Sequence, residues 1–264
     1  MNLKTPLILI GLFIASTSHA EIITKEIDYI TGDTTMKGML AYDDDLKGKR
    51  PAVLIVHEWW GHNKHARDKA AMLAKEGYVA FAVDMYGNGQ TADHPDDAGK
   101  FSSAVAGNMP LAKARFEAAM DTLKAQENVD GDKLAAMGYC FGGGVVLNMA
   151  RMGVELRGVS SFHGSIATKS PAKKGDIKTR IRVFNGAADP FVKSEQIAAL
   201  KTEMKNAGVD FKFVNYPGVK HSFTNPAADA TGKKFGLPLE YNVEADKDSW
   251  QKNLEFFKEI FSAR

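Results

Sequence analysis

Short, continuous apolar runs alternate with segments of helical periodicity from residue 51 to the C-terminus. The first run, residues 51–57 (PAVLIVH), is typical of a strand buried on both faces of a sheet. Strands that alternate with helices form parallel βαβ units, because each crossover helix packs back onto the sheet. The sequence therefore predicts an α/β fold with a mostly parallel sheet and helices on both faces. Two segments of alternating polarity, 22–30 and 36–42, predict an antiparallel hairpin at one edge.

The remaining elements are predicted from the same periodicities. Further strands are expected at residues 78–85, 134–139, 156–162, 180–184 and 211–216. Helices are expected at residues 64–75, 110–126, 142–152, 194–206 and 243–261. The Gly-, Asp-, Asn- and Pro-rich segment 87–107 is expected to form a long excursion with little regular structure. No linker-like stretch divides the chain, and so we expect one domain over residues 21–264.

The first twenty residues have the pattern of a secretory signal peptide. Lys4 is their only charge, the apolar run 7–15 is too short to span a bilayer, and a small-x-small cleavage pattern ends at Ala20. Cleavage after Ala20 would leave residues 21–264, whereas an uncleaved anchor or a buried N-terminal helix is the alternative. We expect cleavage and export to a bacterial periplasm.

The charge balance and the cysteine content exclude several classes of protein. Lys and Arg total 34 against 32 Asp and Glu, and no long block of one sign occurs, so we expect no nucleic-acid partner. One cysteine excludes a disulfide framework and Cys-rich metal modules. No segment after the N-terminal run is apolar enough to cross a membrane. We expect a monomer that acts on a small molecule without a cofactor.

That single cysteine lies in the segment GYCFGG at residues 138–143, between a predicted strand and a predicted helix. This is the context of a nucleophile elbow, with Cys140 in place of the usual serine. Glycine is needed at 138 and 142, because side chains there would collide with the crossing backbone. The N-terminus of the following helix favours a thiolate. An incidental buried cysteine at a glycine-rich helix start is the alternative.

A cysteine nucleophile requires a base, and the base requires an acid that orients it. In a nucleophile-elbow fold these partners follow in the chain order nucleophile, acid, base, each after a later strand. His221 follows the strand predicted at 211–216, and Asp189 follows the strand predicted at 180–184. Each residue alone would more simply be a core histidine or a surface aspartate. Their joint order predicts a catalytic triad of Cys140, Asp189 and His221.

The loop after the first buried strand is expected to complete an oxyanion hole. One donor should be the backbone N–H of Phe141, which follows the nucleophile, and the other the backbone N–H of Trp59.

The segment HEWWGH at residues 57–62 invites comparison with zinc proteases. Its histidines lie five residues apart across a strand end, whereas the protease motif places them four apart on one helix face, so we expect no metal site.

With these residues, the chain resembles the dienelactone hydrolase family within the α/β-hydrolases. The resemblance spans residue 22 to the C-terminus and is carried by HEWWG at 57–61, GYCFGG at 138–143, Asp189-Pro190 and His221-Ser222-Phe223. It implies an α/β-hydrolase fold and the hydrolysis of small esters or lactones through a thioester on cysteine, as in carboxymethylenebutenolidase. It also implies that Glu58 contacts the nucleophile and modulates the protonation of its thiol.

The sequence departs from the family where the substrate is recognised. Members that open dienelactone use two arginines for its carboxylate, and those positions correspond here to Asn88 and Asn225. Without a guanidinium, we expect weak recognition of a small carboxylate. Aromatic and histidine side chains near the strand ends are expected to line an apolar pocket instead. These are Trp60, Tyr86, His163, Phe191 and Phe223.

Two other functions are compatible with the same residues. A thioesterase or an acyltransferase would use the same triad with a different substrate or acceptor, because the fold alone does not decide the reaction. A non-catalytic protein that binds small molecules on a hydrolase scaffold is the third possibility. Ester or lactone hydrolysis is the function that we expect.

Overall fold

The structure is a computed structural model, and it describes residues 21–262. Within them, eight strands form one sheet in the order β1-β2-β4-β3-β5-β6-β7-β8. The strands are β1 (Ile22–Thr31), β2 (Thr34–Asp43), β3 (Arg50–Val56), β4 (Val79–Val83), β5 (Val129–Tyr139), β6 (Gly158–Phe162), β7 (Arg180–Gly186) and β8 (Phe211–Tyr216). The predicted signal peptide, residues 1–20, lies outside the described residues.

Strand pairing confirms the predicted topology. Strands β1 and β2 form an antiparallel hairpin, and β2 pairs antiparallel with β4. From β4 through β3, β5, β6 and β7 to β8, every neighbouring pair is parallel. The carboxyl ends of these parallel strands therefore meet at one edge, where ligands bind in α/β folds.

Seven helices surround this sheet in the described part of the chain. They are α1 (Lys64–Lys75), α2 (Pro95–Ala106), α3 (Met109–Lys124), α4 (Phe141–Arg151), α5 (Ser194–Ala207), α6 (Ala228–Phe235) and α7 (Val243–Ser262). None of the helices within residues 21–262 has the length and apolar character that crossing a membrane requires.

The alternation of side chains along β3 divides the core between the two faces of the sheet. Leu54 and Val56 belong to a cluster with residues of α3, α4 and α5. Val53 and Ile55 point to the other face, where they join residues of α1 and α7. Because successive side chains of a strand alternate between faces, a continuous apolar run fills both. The prediction of helices on both faces is confirmed.

The segment 87–107 differs from its prediction, because it contains helix α2. Pro95 occupies the first turn, where its missing N–H costs nothing, and Asp96 and Asp97 place negative charge at the helix N-terminus. The Nδ1 atom of His94 accepts a hydrogen bond from the backbone N–H of Asp96. Histidine is not a usual N-cap residue, and so the start of this helix is not evident from the sequence.

Candidate active site

Cys140 lies at the turn between β5 and α4, at the carboxyl edge of the sheet. Its φ of 52° is in the left-handed region, which is uncommon for a residue with a side chain, and the residue is partly exposed. A Cβ atom at Gly138 would lie 2.2 Å from the carbonyl oxygen of Gly142, and one at Gly142 would lie 2.3 Å from that of Val56. The two glycines are thus required by backbone contact, and the strained turn projects the thiol from the sheet edge.

Asp189 and His221 lie together at the same edge. Asp189 follows β7, and His221 follows β8. The Nδ1–H of His221 donates to Oδ2 of Asp189 at 2.6 Å, and the backbone N–H of Phe191 donates to Oδ1 at 2.9 Å. Both carboxylate oxygens are occupied, so the aspartate and the imidazole that it orients are held in a fixed geometry.

Cys140 lies close enough to the His221 ring to shift its pKa, so the structure brings the three residues of the predicted triad to one place. Burial alone would lower the pKa of His221. The negative charge of a Cys140 thiolate and the hydrogen bond that His221 donates to Asp189 outweigh that effect and raise the pKa from 6.5 to about 10. The site therefore favours a proton on the imidazole.

A neutral histidine, His163, packs beneath the loop that carries His221. His163 is fully buried, its ring centroid lies 5.1 Å from that of His221, and its Nε2 atom is hydrogen-bonded to the Thr224 hydroxyl at 2.9 Å. Burial holds the pKa of His163 well below its usual range. His65 donates from Nε2 to the Thr224 carbonyl oxygen at 3.2 Å, and burial lowers its pKa also. The loop that carries His221 thus rests on two uncharged rings.

The peptide between Glu58 and Trp59 has the features of an oxyanion-hole donor. Its carbonyl oxygen accepts hydrogen bonds from Nδ1–H of His57 and from the N–H of Gly61. The next carbonyl, of Trp59, accepts from the Tyr86 hydroxyl at 2.9 Å. In a trans peptide the N–H points opposite to the carbonyl, so these bonds fix the direction of the Trp59 N–H.

The backbone N–H groups of Trp59 and Phe141 have no hydrogen-bond partner within residues 21–262. Phe141 is the first residue of α4, where N–H groups have no acceptor within the helix. Both residues also line the cavity beside Cys140. Two unpaired donors next to the thiol are what an oxyanion hole requires.

Glu58 is buried, but its hydrogen bonds lie on the loop after His221. Its Oε1 accepts from the Ser222 hydroxyl at 2.8 Å, and its Oε2 accepts from the Asn225 side-chain amide at 2.6 Å. Nδ1 of the neutral His65 ring is 3.8 Å from Oε2. None of the carboxylate's hydrogen bonds within the described chain reaches Cys140, so modulation of the thiol by Glu58 stays a prediction. The contacts observed join the loop after β3 to the loop after β8.

The cavity beside Cys140 has a volume of about 320 Å³ and differs from the predicted pocket. Trp60 turns away from it and stacks on Phe235, with ring centroids 6.0 Å apart. Asn88 is exposed, and its backbone N–H donates to Thr35 at the hairpin. Phe223 is fully buried in the core beside His163. A position near a strand end places a residue, but packing decides where its side chain points.

The other predicted pocket residues lie closer to the predicted triad. Phe191 is 54% exposed, and its ring packs edge-on against His221 at 5.0 Å. The ring centroids of Tyr86 and Phe141 are 5.5 Å apart, and the Tyr86 ring lies next to the loop that carries Trp59. Burial raises the pKa of Tyr86, so its hydroxyl stays a donor to Trp59. Asn225 is engaged by Glu58.

Most residues that line the cavity come from α2, α3, α4 and the loop after β6. Besides Trp59, Cys140 and Phe141, they are Ser102, Ser103, Ala106, Met109, Gly144, Val145, Asn148, Ser165 and Ala167. None of these described lining residues is Asp, Glu, Lys, Arg or His. Sequence reasoning missed them, although the helical spacing of Phe141, Val145 and Asn148 was a usable signal, because it puts them on one face of α4.

Comparison with known proteins gives the same picture. The model of the Dienelactone hydrolase family matches residues 36–261. A Putative carboxymethylenebutenolidase of Aquifex aeolicus is 30% identical over 213 residues, which is 79% of this chain and 87% of that protein. Protein usf of Aquifex pyrophilus is 32% identical over 80% of this chain and 89% of its own length.

A solved structure agrees with these relatives. A dienelactone hydrolase-like promiscuous phosphotriesterase, P91, from metagenomic libraries has a TM-score of 0.83 and 35% identity, and the match covers 92% of this chain and all of that one. Fold, family model and relatives thus point to one assignment. The chain belongs to the dienelactone hydrolase family and has the α/β-hydrolase fold of that family.

Proposed function

We propose that this hydrolase opens small, uncharged esters or lactones with Cys140 as its nucleophile, through a thioester intermediate. The observation that carries the proposal is the His221 imidazole, whose Nδ1 lies 2.6 Å from the Asp189 carboxylate and whose pKa Cys140 raises. The absence of charged side chains among the described residues that line the cavity beside Cys140 favours uncharged substrates.

The first half of the reaction forms the thioester. The sulfur of Cys140 adds to the carbonyl carbon of the ester, and its proton is held by Nε2 of His221. The carbonyl oxygen becomes an oxyanion, which the N–H groups of Trp59 and Phe141 stabilise. When the bond from carbon to the alcohol oxygen breaks, His221 returns the proton to that oxygen. The alcohol leaves, or stays attached as a hydroxyl group if the substrate is a lactone.

The second half hydrolyses the thioester. A water molecule attacks the same carbonyl carbon while His221 takes one of its protons. The oxyanion forms again at Trp59 and Phe141 and collapses with release of the Cys140 sulfur, which recovers its proton from the imidazole. Asp189 keeps the ring oriented and stabilises its positive charge throughout.

Hydrolysis of p-nitrophenyl acetate tests the proposal. We expect turnover by the wild type and a loss of about 10³-fold or more in Cys140→Ala and His221→Ala, because the triad acts as a unit. Asp189→Asn should also be impaired, whereas the matched change Asp68→Asn, at an exposed helical position, should not. Mass spectrometry of the acid-quenched wild type should find the acetyl group on Cys140. Equal rates in wild type, Cys140→Ala and His221→Ala would contradict the proposal.

Two measurements distinguish the alternative functions from ester hydrolysis: which acceptor receives the acyl group, and whether any ester is turned over. An acyltransferase would transfer the acyl group to an added amine or thiol faster than to water, and a thioesterase would prefer thioester substrates. A binding protein would hydrolyse no ester of a panel, and its affinity for ligands would be the same in Cys140→Ala. We expect water to be the preferred acceptor.

Hydrolysis of phosphotriesters is a second candidate, favoured by the 35% identity to the promiscuous phosphotriesterase P91 over 92% of this chain. The N–H groups of Trp59 and Phe141 would face the phosphoryl oxygen in place of the carbonyl oxygen. Incubation with paraoxon should then release p-nitrophenolate through many turnovers. Release of a single equivalent, with a lasting phosphoryl group on Cys140, would mean inhibition and would exclude this activity.

A further inference from the structure

The cavity beside Cys140 adjoins a larger one. This second cavity has a volume of about 680 Å³, against about 320 Å³ for the first. The two share four lining residues, which are Ala106, Met109, Asn148 and Ala167. Together they form a groove that begins at Cys140 and continues well beyond the volume that an acetyl group needs. The part next to Cys140 is lined by no charged side chain, whereas Arg151, Lys169 and Asp176 line the far part.

One face of helix α4 forms the floor of this groove. Phe141, Gly144, Val145 and Asn148 line the first cavity, and Asn148 and Arg151 line the second together with Met152, which directly follows the helix. These positions recur at the spacing of successive helical turns and therefore lie in one row. The eleven residues of α4 extend about 16 Å at 1.5 Å per residue.

The wall of the groove after β6 is anchored to the core. Arg151 and Glu203 form a buried ion pair at 2.9 Å. Arg151 also donates to the carbonyl oxygen of Ile166 at 3.1 Å, and Glu203 accepts from the N–H of Ala172 at 2.8 Å. Because both ends of the segment 166–172 are tied to this pair, the wall is held at a fixed distance from α4.

The position of the imidazole decides which half of an ester enters the groove. The leaving alcohol receives its proton from His221, which is not among the residues that line either cavity. Phe191, which also lies outside both cavities, packs edge-on against the His221 ring. The oxyanion donors Trp59 and Phe141 line the first cavity, so an acyl chain attached to the same carbon can extend along α4.

We propose that the groove is an acyl-chain site and that the preferred substrates are small esters with medium-length, unbranched acyl chains. This inference rests on the proposed ester hydrolysis and specifies its substrate class. Ala106 lies at the junction of the two cavities, and Ala167 faces it from the loop after β6. The small side chains there leave the passage open.

A pair of isomeric substrates tests the inference. Ethyl octanoate and octyl acetate have the same composition and differ only in which side of the ester carries the chain. We expect kcat/KM to be about tenfold or more higher for ethyl octanoate, because the groove removes several CH₂ groups from water. Ala106→Trp should bring this ratio close to one. Ala104→Trp, on an exposed part of the same helix outside the groove, should keep the ratio of the wild type.

Each outcome has a separate meaning. Equal rates on the two isomers, a preference for octyl acetate, or the same ratio in Ala106→Trp as in the wild type would overturn the acyl-chain site. Hydrolysis of p-nitrophenyl acetate in those same samples would leave the proposed function intact. If the wild type hydrolyses no ester at all, the proposed function itself fails, and the acyl-chain site with it.

Discussion

The imidazole of His57 donates a hydrogen bond from Nδ1 to the backbone carbonyl of Glu58, the residue that follows it. Its other nitrogen, Nε2, accepts from the backbone N–H of Met85 at 3.2 Å, and this contact fixes the tautomer with the proton on Nδ1. The ring is fully buried, and burial lowers the pKa of His57. A neutral, oriented imidazole therefore holds the peptide whose N–H belongs to Trp59.

Removal of the His57 imidazole should impair catalysis more than binding. We expect His57→Leu to lower kcat by about tenfold or more, because the Trp59 N–H loses its fixed direction; complete loss of one oxyanion donor typically costs about 10²–10³. KM should change little, since the contact matters chiefly in the transition state. Steady-state kinetics with p-nitrophenyl acetate measures both constants. His57→Asn keeps a side-chain N–H near Nδ1 and should recover part of kcat. A rise in KM at constant kcat would contradict this role.

The stability of the chain should depend on pH through His221. Its pKa is about 10 in the folded chain against an ordinary value of 6.5. A group whose pKa is raised by folding stabilises the folded state fully below the unfolded pKa, and this contribution is lost as pH rises from 6.5 through about 10. Urea unfolding should give a free energy that falls over this window. His221→Gln should flatten that decline, whereas His94→Gln, at an exposed histidine, should not. Identical slopes in wild type and His221→Gln would refute the prediction.

Gly138 and Gly142, on either side of Cys140, should tolerate no side chain. Gly142→Ala would place its Cβ 2.3 Å from the Val56 carbonyl oxygen, so we expect a loss of about 2 kcal/mol or more in the free energy of unfolding, together with lost activity. Gly99→Ala is the matched control, because that helical glycine has open space around the new Cβ. It should stabilise the chain by about 0.5–1 kcal/mol. Similar effects of the two changes in thermal unfolding would contradict the argument.

Removal of one partner of the buried pair of Arg151 and Glu203 should destabilise the chain strongly. Glu203→Leu leaves a buried guanidinium without its partner, and we expect a cost of about 3–5 kcal/mol in urea unfolding. The double change Arg151→Met with Glu203→Leu should recover most of this loss, because neither charge remains buried. At the exposed pair of Lys64 and Asp68, Asp68→Asn should change stability by less than about 1 kcal/mol. If Glu203→Leu lowered the free energy of unfolding as little as Asp68→Asn does, the two charges of the buried pair would not be coupled.

Patterns that are local in sequence predicted most of the fold. The helix expected at 64–75 and the strand expected at 211–216 have those bounds in the structure, because each combines a clear period with a stop signal such as Gly77. Helix α6 was not predicted, because it is only eight residues long and mostly polar, which is also typical of a loop. Strand β5 begins five residues before its predicted start, because Val129 pairs with Arg50 ahead of an irregularity in the register.

The site was predictable to the extent that it depends on strand ends. Cys140, Asp189 and His221 each follow a parallel strand, and parallel strands bring their carboxyl ends to one edge. The pocket depends instead on side-chain rotamers and on segments outside the sheet. Trp60 was placed in the pocket, but it stacks on Phe235, a residue of the helix that the sequence pattern did not reveal. Long-range packing of this kind leaves no periodic signal.

The segment from α2 to α3 contributes walls to the groove but contains none of the three residues of the proposed triad. It lies between β4 and β5, whereas Cys140, Asp189 and His221 all follow β5 in the chain. Mutations in this insert can therefore retune the range of accepted molecules while the reacting atoms stay where they are. The insert is therefore a suitable region in which directed evolution of the substrate range can begin.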